Sequence, residues 1–97
     1  MNATASREKI VSMDTSKELF LYLDESNQEE IDTARKLVEN LKKKGFTIYE
    51  HLYGAGESDA ITPWIIDPVG SSHYGINRIR AFVDYKVAMM ERRARHM

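Results

Sequence analysis

The apolar positions fall into blocks of different spacing, and the spacing decides the element each block forms. Leu19-Phe20-Leu21-Tyr22-Leu23 is an unbroken run that stops at Asp24, the pattern of a central strand covered on both faces. Ile31, Ala34, Leu37, Val38 and Leu41 instead recur every three or four residues, while Asp32, Arg35, Lys36, Glu39 and Lys43 fill the remaining face. That is the stripe of a helix packed on one side. Ser26 followed by Glu29, and Asn27 followed by Glu30, both have capping-box spacing, so either residue serves as the helix cap. The run Lys42-Lys43-Lys44 complements the dipole at the other end, and Gly45 supplies the left-handed stop. Phe46 to Tyr53 then alternates, with Ile48 and Leu52 on one side and Tyr49, His51 and Tyr53 on the other, as in an edge strand. Strand, helix and strand joined by short connections predict a parallel crossover unit.

The second half is shorter in its rhythm. Gly54 to Ala60 reads as a loop with room for one helical turn, and Trp64-Ile65-Ile66-Asp67 as a third strand. Pro68, Gly70, Ser71 and Ser72 mark a turn leading into a fourth strand, His73-Tyr74-Gly75. A last helix is expected from about Asn77 to about Arg93, with Ile76, Ile79, Phe82, Val83, Val87 and Met90 on its apolar face, closing the second side of the sheet. Residues 1 to 16 are mostly small or polar around Ile10, Val11 and Met13, which predicts a tail or short added element before a single domain at 17–97.

This succession resembles the thioredoxin-like superfamily, in particular its glutaredoxin-sized members. The most specific piece is Ile61-Thr62-Pro63-Trp64-Ile65-Ile66-Asp67, followed by Gly75-Ile76 and the amphipathic run Ile79 to Val83. The resemblance implies an α/β fold with a mixed four-stranded sheet in the order 2-1-3-4, a cis Thr62-Pro63 bond, and a groove beside that proline for extended polypeptide. A ferredoxin-like α+β arrangement is the alternative architecture. The departure from the family is at its redox centre: where relatives place Cys-x-x-Cys or Cys-x-x-Ser, Asn27 to Glu30 reads Asn-Gln-Glu-Glu. The family's middle helix also has only about eight residues, Gly54 to Ile61, in which to form.

Composition narrows the chemistry further. The chain has 97 residues and no cysteine, so it holds no disulfide, thiolate zinc site or nucleophilic thiol of its own. Fourteen Lys and Arg against 15 Asp and Glu give a net charge of −1, too little to attract nucleic acid or an acidic membrane in bulk. The charge is nevertheless uneven: residues 46–75 carry only Glu50, Glu57, Asp59 and Asp67, whereas basic residues dominate the last 22. Asp24, Glu25, Glu29 and Glu30 crowd the start of the first helix, where they would repel phosphate; capping and dipole compensation explain them without a metal. His51, His73 and His96 have no ligand spacing, and surface or partner-satisfied histidines are the expectation. Ser58, Ser71 and Ser72 lack a nucleophile signature.

Two uses remain. The first is a non-catalytic module that binds another protein through a groove bordered by Asp24, Glu25, Ser26, Asn27 and by Thr62, Pro63, Trp64, or along a free sheet edge, with no cofactor. Trp64 would anchor the partner there, although its apolar neighbours Ile65 and Ile66 favour a core-facing position for it. The second is a nucleic-acid-associated protein using Lys86, Arg92, Arg93 and Arg95 with Tyr85. The absence of a bilayer-length apolar run and of an apolar stretch near Met1 sets a soluble, cytoplasmic location as the expectation.

Overall fold

The computed structural model describes residues 17–96; the segment assigned above to a tail, 1–16, lies outside them. Six elements follow one another: β1 (Glu18–Asp24), α1 (Gln28–Lys43), β2 (Thr47–Tyr53), β3 (Trp64–Ile66), β4 (Ser72–Tyr74) and α2 (Ile76–His96). They form an α/β fold on one mixed sheet of order β2-β1-β3-β4, with β1 parallel to β2 and antiparallel to β3, and β3 antiparallel to β4. The sheet order is the expected one. The bond before Pro63 is cis, as the resemblance implies. Among the described residues, no helix is long and apolar enough to cross a membrane.

Local chemistry explains the element ends. Asn27, rather than Ser26, caps α1: its side chain accepts from the Glu30 N–H at 3.2 Å and donates Nδ2–H to the Glu30 carboxylate at 2.7 Å, a variant of the capping box in which the return bond comes from the side-chain amide. Ser26 bonds back to Asp24 instead. At the far end Gly45 takes φ +99°, which relieves the Cβ clash any other residue would meet there, and its N–H donates to the Lys42 carbonyl. The loop 54–63 contains no helical turn, so the middle helix of the resemblance is absent. The last helix ends three residues beyond the expected Arg93 and six beyond Met90, the last residue of its apolar stripe, because the basic residues after Met90 continue the helix beyond the core.

Two expectations about layering are corrected. Leu19, Leu21 and Leu23 are fully buried, but the residues between them are not: Phe20 is 38% exposed and Tyr22 half-buried. Hence, among the described residues, β1 is covered on one face only. Its buried residues join Ile31, Ala34, Val38 and Leu41 of α1 and Ile79, Phe82 and Val83 of α2 in a single core, with Ile65 from β3. Both helices therefore lie on the same side, and α2 does not close the second one. The uninterrupted apolar run concealed a strict in–out alternation, since aromatic rings occupy the outward positions that polar residues hold in an ordinary two-layer protein.

Candidate functional site

The outward face of the sheet is built by register. Phe20 lies opposite Tyr49 on β2 and Ile66 on β3; Tyr22 lies opposite His51 and Trp64; Trp64 in turn lies opposite Tyr74. The second of these rows, His51–Tyr22–Trp64–Tyr74, places one aromatic ring on every strand. Its contacts are close. Tyr22 and Trp64 stack with centroids 4.0 Å apart and planes within 9°, and Trp64 and Tyr74 are 5.3 Å apart. Tyr22 and His51 are at 5.8 Å, and Tyr53 meets the His51 ring edge-on at 4.6 Å. Phe20 and Tyr49 add a pair at 5.2 Å in the neighbouring row. Trp64 thus faces away from the core, which Ile65 enters, and the expectation of a core-facing tryptophan is overturned. A three-residue strand that is apolar at every position could not reveal which side its tryptophan takes.

Neighbouring rings shield one another, so Tyr22, Tyr53 and Trp64 are half-buried while Tyr49 and Tyr74 remain 47% and 43% exposed. The indole N–H of Trp64 has no hydrogen-bond partner among the described residues. Among the described residues, no strand contains a lysine or arginine, and the charged strand residues on the aromatic face are Glu18 and Asp24. Such a face offers negative π density and carboxylates together.

The expected groove residues gather at one end of this face. The pairing of Tyr22 with Trp64 sets the end of β1 beside the start of β3, so Asp24 and Pro63 share that end of the sheet. Asp24 is engaged within the fold: Oδ1 accepts from the Ser26 N–H at 2.8 Å and its hydroxyl at 2.6 Å, and Oδ2 accepts from the Gly56 N–H at 3.1 Å. Those bonds, the Ser26 hydroxyl foremost, hold its carboxyl below the usual carboxylate value. Asp24 therefore ties the turn before α1 to the loop after β2. Glu25 and Ser26 are exposed, Asn27 and Thr62 half-buried, and Pro63 buried with its carbonyl accepting the Gly75 N–H. Ile61, beside them, is 70% exposed.

The basic residues lie elsewhere. Lys86, Arg92, Arg93 and Arg95 belong to α2, on the side of the sheet opposite the aromatic row. The basic patch is thereby separated from the aromatic sheet face, while Tyr85 stays exposed beside Lys86 on the helix. Among the described residues, no three His, Asp or Glu side chains converge as metal ligands.

A second feature went unread in the sequence. His73 Nε2 lies 2.9 Å from Asp67 Oδ2 and donates to it, since an ionised carboxylate only accepts, while Asp67 Oδ1 accepts from the Val69 and Ser71 N–H groups at 3.0 and 2.9 Å. Burial alone would push the Asp67 carboxyl up; the bonds from His73, Ser71 and Val69 outweigh it and hold the carboxyl below its usual value. The partner-satisfied reading fits His73; its partner Asp67, expected as the last residue of the third strand, instead starts the turn after Ile66.

No protein-family model, characterised protein or solved structure matches this chain. Its functional reading therefore rests on residues and geometry.

Proposed function

We propose that this protein is a non-catalytic, protein-binding module of thioredoxin-like plan whose open aromatic sheet face receives a basic segment of a partner polypeptide. The sheet order, the cis Thr62-Pro63 bond and the helix Ile76–His96 support the plan. With no cysteine at Asn27 to Glu30, the thiol chemistry of that plan has no nucleophile in this chain. The observation that carries the binding reading is the row of four rings crossing all four strands, bordered by carboxylates and free of lysine and arginine. Guanidinium groups stack on Tyr and Trp faces and pair with carboxylates, whereas phosphates are repelled by the same surroundings. The groove end at Asp24, Glu25, Ser26, Asn27 and Thr62, Pro63 extends this face toward exposed Ile61, where an apolar side chain of the partner would rest.

Trp64 is the only tryptophan, so its emission reports on this face directly. Hexa-arginine should perturb Trp64 emission saturably, with hexaglutamate and a dodecathymidylate strand inert at the same concentration. Tyr74→Ala should weaken hexa-arginine binding by roughly 2- to 30-fold, the range spanned by cation–π contacts of about 0.5–2 kcal/mol. The nucleic-acid reading makes the opposite forecast: the thymidylate strand binds, loses affinity steeply with salt, and is released by removing residues 91–97. Binding of the strand with hexa-arginine inert would replace the proposal.

A further inference from the structure

On the helix side of the sheet, a cleft of about 570 Å³ opens between the β3–β4 turn and α2. Arg78, Ala81, Phe82, Tyr85 and Lys86 line it at positions i, i+3, i+4, i+7 and i+8, which brings them onto one stripe of the helix. Arg78 and Lys86 stand about 12 Å apart along the axis at 1.5 Å rise per residue. Between them are two aromatic rings and the small Ala81, whose missing bulk leaves the space. Pro68 and the Asp67–His73 pair form the opposite wall, with the His73 ring 4.7 Å from that of Phe82.

Charge decides what enters. The Asp67 carboxylate is already met by two backbone amides of its own turn and by His73 of the adjoining strand β4. Among the described residues, neither Arg78 nor Lys86 has a carboxylate within ion-pair distance. The cleft thus has a carboxylate offset from within, two uncompensated cations at its ends and an aromatic middle. Its volume lies in the range of about 300–1,000 Å³ typical of small-molecule sites. We propose that this cleft binds a small aryl-bearing organic anion, its carboxylate or phosphate group held by Arg78 or Lys86 and its ring packed on Phe82 and Tyr85. The site is independent of the aromatic sheet face, which lies on the other side of the sheet.

The test is a titration of the ¹⁵N-labelled full chain with benzoate, phenyl phosphate, benzyl alcohol and inorganic phosphate. Benzoate or phenyl phosphate should shift the amides of Val69, Ser71, Arg78 and Lys86 saturably, and should bind at least about tenfold more tightly than benzyl alcohol or inorganic phosphate. Which of the two aryl anions is preferred identifies the anionic group. Ala81→Trp fills the cleft and should abolish the shifts. Arg78→Glu and Lys86→Glu, both changes on the helix surface, should together weaken binding at least about tenfold with the circular dichroism spectrum retained. Equal binding of benzyl alcohol, equal binding of inorganic phosphate, or aryl-anion binding that survives the double charge reversal would each overturn the proposal.

Discussion

Replacing Asp67 with alanine tests whether the turn between β3 and β4 is held by one carboxylate. The substitution leaves three donors without their acceptor: the Val69 and Ser71 amides and His73 Nε2. Hydrogen bonds to a charged group contribute about 1.5–3 kcal/mol each when water is excluded. Here the Asp67 side chain is only 8% exposed, but Val69 and Ser71 are exposed, so water replaces part of what their amides lose. The variant also recovers the desolvation that burial imposes on the carboxylate. Both discounts bring the expected loss to about 2–3 kcal/mol, a fall in melting temperature of roughly 10–20 °C for a domain of this size. Urea unfolding followed by circular dichroism measures the loss. Asp67→Asn, which keeps an acceptor oxygen for the turn, should recover part of it. The pH dependence has a fixed sign. Because the folded carboxyl titrates below its ordinary value of 3.8, the ionised form is favoured by folding; its contribution is complete above that value and disappears as the pH falls through the folded one. The gap between the native chain and Asp67→Ala should therefore close in acid. A loss under about 0.5 kcal/mol, or a gap that widens in acid, would refute the clasp.

Two further substitutions probe the elements that position the aromatic face. Asn27→Ala removes the cap of α1 and should cost about 1 kcal/mol in urea unfolding, whereas Ser26→Ala, which cannot touch the capping box, should cost α1 less. The bidentate pair of Arg35 with Glu50, 2.9 and 2.8 Å, joins α1 to β2 on a surface where the Arg35 side chain is 47% exposed; a double-mutant cycle should return no more than about 1 kcal/mol.

The framework was legible because local signals agreed with one another. The stripe Ile31–Leu41, the capping pair Asn27 and Glu30 and the stop at Gly45 all specify the same helix, and the short connections around it leave little choice but a parallel unit. The pairing of β3 with β4 was legible from the turn at Pro68 to Ser72, whereas their place in the sheet order was only implied by the family resemblance that Thr62-Pro63 helps carry. What could not be read was the side each aromatic residue takes. In Leu19 to Leu23 every residue is apolar, so hydrophobicity alone gives no period, and only the placement of both helices on one side distinguishes Leu21 from Tyr22. The same blindness put Trp64 in the core. The cleft at Ala81 was hidden differently, since it needs α2 and the β3–β4 turn in three dimensions and its residues are drawn from two segments with no motif between them.

The absence of a helix between β2 and β3 has a wider consequence. Because the odd-numbered positions of β1 hold the fold together and the even-numbered ones do not, the residues facing outward are free to vary without disturbing the layer that supports them. Phe20, Tyr22, Tyr49, His51 and Tyr74 form a display panel on a packed backing of buried leucines and helices, comparable in logic to a paratope mounted on its framework. A library randomised at those five positions should yield folded chains with altered binding preferences, making this small cysteine-free domain a usable platform for selecting new binders in reducing environments.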